Sequence, residues 1–240
     1  MPEPTRYAIY YMCPPGPLAD FGAGWLGWDA ARGRISPHPD VADLPLPIEA
    51  ITRTPRKYGF HGTIKPPFQL APGRDAAELE AAAVALCQGL APVSLDGLAL
   101  SRLGGFLALT VTGDTAPLAA LAAACVAGLD AFRAPALQQE LARRRVSGLS
   151  PQQEALLTRW GYPYVMEEFR FHMTLSGRLP AESADAIRSA LARRITPLLP
   201  RPFAVGEFCL MRSDTQGRFH LLRRLPLGGL PLRNADAAPG

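Results

Sequence analysis

Two short segments of this 240-residue chain carry the same pair of side chains in the same local frame. In Tyr58-Gly-Phe-His61-Gly-Thr63-Ile-Lys65-Pro-Pro-Phe68 and in Phe169-Arg-Phe-His172-Met-Thr174-Leu-Ser176, an imidazole and a hydroxyl stand two residues apart. Side chains on an extended strand alternate between faces, so each His-x-Thr pair is expected to share one face. Lys57 and Lys65 flank the first pair on that face, while Tyr58, Phe60 and Ile64 make the opposite, apolar one. In the second segment Arg170 and Ser176 accompany the pair, and Phe169, Phe171, Met173 and Leu175 lie opposite. A lone His-x-Thr arises easily by chance; a second copy, using two of the four histidines, makes the pattern informative.

Imidazole titrates near neutral pH, so of two in one pocket one can be neutral and the other protonated. Such a pair suits cleavage of a phosphodiester. One His takes a proton from water or a ribose hydroxyl on one side of the phosphorus, and the other protonates the departing alkoxide. Thr63 and Thr174 would hydrogen bond the non-bridging oxygens, with Lys57, Lys65, Arg56 and Arg170 as candidate cations for the developing charge. Tyr58 and Ser176 complete the candidate substrate-binding set. No His-x-x-x-His, no Cys-x-x-Cys and no acidic partner at ligand spacing accompanies them, so neither a metal nor another cofactor is expected.

The elements that must position these residues repeat. Each His-x-Thr strand is followed by a helix, a strand, a tight turn and a strand. His61 precedes Leu100 by 39 residues and His172 precedes Met211 by 39, with Phe106 and Phe219 opening the last strands 45 and 47 residues on. The expected fold class is α+β, a duplicated bilobal β-α-β-β arrangement with two antiparallel sheets around a central cleft. Residues 1–227 would form one bilobal domain: a first lobe over 5–133, a helical connector over 134–166, and a second lobe over 167–227. A Gly- and Pro-rich flexible tail is expected over 228–240.

Along the chain, Arg6–Met12 reads as a first strand, and the two prolines at 66–67 are expected to end the strand that carries His61. Asp75 is a plausible helix N-cap, Arg102–Gly105 a hairpin turn, and Ser150 with Glu154 nearby a helix start. Gly22-Ala-Gly24-Trp-Leu-Gly27 matches the Gly-x-Gly-x-x-Gly dinucleotide fingerprint, but nine residues separate it from the first strand, so it is rejected. Trp160, Tyr162 and Tyr164, in a connector that would shape the substrate mouth, are expected in the core or stacked on a base or sugar.

A charged fraction of 19% with 48% hydrophobic residues describes an ordinary globular chain. Its apolar runs fall short of the roughly 20 residues a membrane helix needs. The N-terminus shows no signal pattern, so a cytoplasmic location is expected. A net charge of +4 favours anionic partners. The expected partner is a small phosphorylated sugar or nucleotide. RNA is a weaker alternative, because Arg143–Arg145 is the one basic run. Nothing in the sequence sets the oligomeric state.

These residues resemble the 2H phosphoesterase superfamily, which includes cyclic phosphodiesterases and 2′-5′ RNA ligase-like proteins. The segments Arg56–Phe68 and Phe169–Gly177 resemble in particular a bacterial branch linked with phosphonate metabolism, the DUF1045 group, over nearly the whole chain. The resemblance implies a bilobal fold with both histidines in a central cleft and metal-independent hydrolysis of a cyclic phosphodiester. His61 and Thr63 match its first motif, His172 and Thr174 its second. Its link with carbon–phosphorus lyase pathways implies a phosphoribosyl cyclic phosphate as substrate. The alternatives are an RNA-end-processing protein and a non-catalytic phosphate-binding module on the same fold.

Overall fold

A computed structural model describes residues 4–146 and 148–229. In chain order the elements are β1 (Tyr7–Tyr11), α1 (Pro17–Leu26), β2 (Trp28–Asp29), β3 (Arg34–Ile35), α2 (Ile48–Arg56), β4 (Gly62–Phe68) and α3 (Ala76–Gln88). There follow β5 (Val93–Leu95), β6 (Gly97–Leu103), β7 (Phe106–Thr112), α4 (Ala116–Gly128), α5 (Gln138–Arg145), α6 (Pro151–Trp160), β8 (His172–Thr174) and α7 (Ala181–Ile195). The last strands are β9 (Phe203–Val205), β10 (Glu207–Ser213) and β11 (Phe219–Pro226).

The class is α+β with antiparallel sheets. Seven strands line up as β11-β10-β1-β4-β8-β7-β6, and β2-β3 and β5-β9 form separate pairs. The strands of the two sequence halves are interleaved: β1 and β4 lie beside β10 and β11, while β8 lies beside β7 and β6. Lobes cut at residues 133 and 167 therefore do not correspond to the two sides of the sheet, because each half exchanges strands with the other. The seam is β4 against β8, where Gly62 pairs with Met173. There Gly62 is required by contact, since a Cβ would come within 2.4 Å of the Phe171 ring.

Period-two alternation gives the sheet two faces. Ile9, Tyr11, Ile64, Leu107, Leu109, Met173, Phe208 and Leu210 join Trp25, Leu79, Leu118, Ile187 and Leu191 of the helices in the main core. On the other face Ala8, Tyr10, Met12, Cys209, Met211 and Phe219 form a smaller cluster with Trp28 and Tyr58. Burial of each large aliphatic side chain is worth about 1.5–3 kcal/mol, which makes the helix-covered face the main stabilising layer.

Local chemistry sets the helix limits. Asp75 accepts from Glu78 N at 2.8 Å and Glu78 reaches back to Asp75 N, a complete capping box. Ser150 caps α6, but its partner is Gln153 rather than Glu154, which instead binds Arg145. The glycines of the rejected fingerprint lie in or just after α1, and a Cβ on Gly22 would stand 2.0 Å from the Phe60 ring. They are a packing surface.

The prolines at 66 and 67 do not end β4, which runs on to Phe68. The β1–β4 register shifts on both sides of Ile9, so these prolines sit where the ladder is interrupted. At the far end, Gly228 N and Gly229 N donate to Cys87 O and Leu90 O at 3.2 and 2.9 Å, so these two residues of the expected tail are pinned to the end of α3. Residues 230–240 lie outside the described range. No helix among the described residues is long and apolar enough to cross a membrane.

Candidate active site

His61 and His172 stand at the seam, His61 just before β4 and His172 at the head of β8. Each is held by the same bond. His61 Nδ1 lies 2.9 Å from Gly59 O, and His172 Nδ1 lies 2.8 Å from Arg170 O, in both cases the carbonyl two residues upstream. A carbonyl oxygen can only accept, so each Nδ1 carries a proton and each neutral ring keeps its lone pair on Nε2. The left-handed conformation of Gly59 (φ +75°) allows that turn, and a Cβ there would meet Ala30 at 2.6 Å.

His61, Thr63 and Thr174 line a cleft of about 280 Å³ with Tyr10, Tyr58, Arg6, Pro66, Pro67, Arg144 and Tyr162. Thr63 Oγ1 is 3.1 Å from His61 Nε2 and donates to it. The Tyr10 ring stacks on His61 with centroids 3.8 Å apart, and Tyr58 stands at 6.0 Å. Burial pushes the His61 pKa down from 6.5 to about 4; the Gly59 carbonyl opposes that shift and the charge of His172 adds to it. His61 is therefore neutral at pH 7. Burial, and then the neighbouring Tyr58, push the Tyr10 hydroxyl far up, so it stays protonated.

His61, Thr63, Thr174 and Tyr58 line the one cleft while His172 is not among its lining residues, and Tyr58 arrives on the cleft side. The turn at Gly59 breaks the extended alternation that put it with Phe60 and Ile64. Lys57 sits at the edge, its Nζ 5.2 Å from the Tyr58 ring centroid, in a cavity that adjoins the cleft.

Four other expected substrate contacts have different work. Lys65 is buried at 2% exposure, its Nζ donating to Val126 O at 2.9 Å and lying 3.7 Å from Asp130 Oδ1. The reason is the bulge: Tyr10 pairs with Thr63 but Ile9 pairs with Lys65, so the one extra residue turns Lys65 to the core face. Ser176, 1% exposed, accepts from Leu107 N at 2.9 Å and donates to Gly177 O at 2.8 Å. Arg56 braces α1 and α2 through Leu26 O, Glu49 O, Thr52 Oγ1 and His38 Nε2. Arg170 donates to the carbonyls of Glu167 and Phe169, closing the loop before β8.

Arg6, Tyr10 and Arg144 are the cleft residues that sequence reasoning missed. Tyr10 has a signal in retrospect, since Ala8, Tyr10 and Met12 alternate with Ile9 and Tyr11 along β1. Arg144 reaches the cleft from α5, its guanidinium 4.5 Å from the Tyr162 ring and 3.0 Å from Glu140. Tyr162 lines the cleft, and with Trp160 it packs against Val126, Leu156 and Val165; Tyr164 is 44% exposed. Among the described residues no group of three His, Cys, Asp or Glu side chains is placed to hold a metal.

A family model described as "Protein of unknown function (DUF1045)" matches residues 63–220. The chain is 37% identical over 236 residues to a protein of Janthinobacterium sp. (strain Marseille) named ribose 1,5-bisphosphate phosphokinase PhnN, covering 94% of this chain and 51% of that one. It is 36% identical over 222 residues to a protein of the same name from Laribacter hongkongensis (strain HLHK9), with 91% and 51% covered. The chain thus spans about half the length of the curated relatives it matches. Among solved structures it is similar to a phosphoesterase (TM-score 0.42, 19% identity, 94% and 99% covered) and to E. coli LigT complexed with 3′-AMP (0.41, 18%, 94% and 99%).

Proposed function

The chain belongs to the DUF1045 family, and on the geometry of its cleft we propose that it is a phosphodiesterase that opens a cyclic phosphodiester by two-histidine acid–base catalysis. One observation carries the reading: two imidazoles at one seam, each locked with Nδ1–H on the carbonyl two residues upstream and Nε2 left for chemistry. His61, neutral at pH 7, takes the proton of the attacking water through Nε2. The water oxygen bonds to phosphorus, the P–O bond of the ring breaks, and His172 Nε2–H gives its proton to the departing alkoxide. The products are one phosphomonoester and the free hydroxyl. Thr63 and Thr174 hydrogen bond the non-bridging oxygens, and Thr63 leaves His61 Nε2 to do so. The substrate is a ribose phosphate or a nucleotide-like molecule, in keeping with relatives named for a ribose bisphosphate enzyme.

The kinase activity in those relatives' name is not assigned to this chain. The phosphate loop of the common NTP-dependent kinases needs a Gly-Lys step, and here the two lysines follow Arg56 and Ile64. The test is a panel of 2′,3′- and 1,2-cyclic phosphates, with the products followed by phosphorus NMR. Turnover of a member to a single phosphomonoester supports the reading. Failure on every member, with ATP-dependent phosphorylation instead, contradicts it.

A further inference from the structure

His38 and Arg56 meet over Gly27, the residue that ends α1, and tie that helix to the turn that orients His61. His38 Nδ1 lies 3.0 Å from Gly24 O and 3.1 Å from Trp25 O, two carbonyls of the last turn of α1. A carbonyl only accepts, so Nδ1 carries the proton and Nε2 keeps its lone pair, which faces Arg56 Nη2 at 3.2 Å. The same guanidinium donates through Nε to Leu26 O at 3.0 Å, and through Nη2 to Glu49 O at 3.2 Å and Thr52 Oγ1 at 3.0 Å, both on α2. Gly27 makes room for the pair. Its φ is +76°, and a Cβ there would stand 2.7 Å from the His38 ring and 3.4 Å from Arg56 Nε.

Two routes lead from this junction to the histidines. Gly59 N donates to Arg56 O at 3.1 Å, and Gly59 O accepts from His61 Nδ1 at 2.9 Å, so one residue separates the arginine carbonyl from the imidazole. On the other side Trp25 Nε1 donates to Leu175 O and Gly177 N donates to Ile51 O, each at 2.7 Å. The α1–α2 pair thus holds the chain just before His61 and just after Thr174, while His38 and Arg56 themselves lie outside the residues that line the cleft. We propose that His38 and Arg56 are positioning residues, which set the spacing of His61 and His172 by locking α1 to α2. The inference rests on the two-histidine reading of the site and adds to it residues that act without touching the substrate. A planar guanidinium serves several acceptors in fixed directions at once, which an ammonium on a flexible stem does not. Because a misplacement of about 1 Å at reacting atoms can change a rate by about 10²-fold, a small slip of α1 against α2 is felt first in catalysis.

The experiment separates the two ends of the His38 ring. In His38→Gln the amide reaches the place of Nε2 and gives Arg56 an acceptor; in His38→Asn the shorter amide reaches only the place of Nδ1 and leaves that acceptor missing. Turnover of adenosine 2′,3′-cyclic phosphate and of a ribose 1,2-cyclic phosphate is measured for wild type, both variants and Arg56→Lys, with thermal unfolding read beside the rates. The expected kcat is within about twofold of wild type in His38→Gln and about 10- to 100-fold lower in His38→Asn and Arg56→Lys. KM should stay within about twofold throughout, because the contacts that bind substrate are untouched. A role in stability alone would lower the unfolding temperature in the variants without separating their kcat values.

A second readout needs no turnover. In proton–nitrogen NMR of the ring nitrogens, the His61 Nδ1–H, bonded to Gly59 O, should keep its wild-type shift in His38→Gln and move in His38→Asn and Arg56→Lys. Equal kcat in the two His38 variants, or a His61 signal unmoved in folded His38→Asn, overturns the positioning role. If wild type turns over neither substrate, the phosphodiesterase reading fails by itself, and a His61 signal that moves in His38→Asn but not in His38→Gln still supports the lock.

Discussion

His61 and His172 are oriented by the same bond and differ in what covers them. The Nδ1 of each lies 2.9 and 2.8 Å from the carbonyl of residues 59 and 170, but Tyr10 stacks on His61 at 3.8 Å, whereas His172 has the Phe106 ring tilted beside it at 5.8 Å. Matching backbone bonds thus orient the two imidazoles alike, while the rings around them differ. The sequence left open which histidine is acid and which is base; the proposed reaction gives the base's part to His61, the buried and stacked one.

The pH dependence follows from that asymmetry. The acid limb of kcat/KM should show an apparent pKa near 4, from His61 in the free enzyme. Tyr10→Ala removes the cover, so the limb should move up towards 6.5, and His61 should titrate there by NMR. Folding stability moves with it. Because the folded pKa lies below the unfolded one, the unfolded chain binds the extra proton between pH 6.5 and about 4. Stability should fall as pH drops through that window, by about 1–3 kcal/mol. Urea midpoints at pH 7 and 4 for wild type and His61→Phe should differ less in the variant.

Ser176→Ala should cost stability and spare the chemistry. The change orphans the buried Leu107 N–H, a penalty of about 1–3 kcal/mol. Its hydroxyl faces the backbone of β7 and residue 177, so turnover in the surviving folded protein should stay within about twofold. A large loss of kcat at full stability would return Ser176 to the substrate.

Lys65→Met separates a buried charge from a catalytic one. The methionine keeps the volume and leaves Asp130 with Arg133 at 2.8 Å, so the cost should be about 1–3 kcal/mol by thermal unfolding, with activity retained. Lys65→Ala should cost more, because a cavity is added to the lost bond with Val126 O. Loss of turnover in folded Lys65→Met would show that the ammonium acts in the cleft.

Gly62→Ala tests the seam. Its Cβ would stand 2.4 Å from the Phe171 ring, forcing β4 away from β8 at their one paired position. Overpacking of this kind costs about 1–3 kcal/mol, and here it also separates the histidines. Activity should drop far more than the stability loss explains, and Phe171→Leu in the same chain should restore part of it.

How much of this was legible in the sequence depended on how local the cause is. The two His-x-Thr faces, the Asp75 and Ser150 caps and the β6–β7 turn rest on neighbours in the chain, and reading them needs no fold. Lys65 and Tyr58 were misplaced because one bulge and one left-handed glycine break the alternation, and neither is written in a pattern of apolar residues. Helix α2 was not read from the sequence; Pro47 stands at its N-cap and Pro55 in its last turn, where a proline is no guide to a helix. The interleaving of the strands, and the arrival of Arg6 and Arg144 at the cleft, are properties of the assembled sheet.

The most direct test of the account is phosphorus NMR of a cyclic phosphodiester incubated with wild type, His61→Gln and His172→Gln, each first shown to be folded by circular dichroism. The account predicts conversion to one phosphomonoester by wild type and a fall in rate of about 10²–10⁴-fold in each variant, the contribution of one general acid or base. Turnover near the wild-type rate in either folded variant would contradict it.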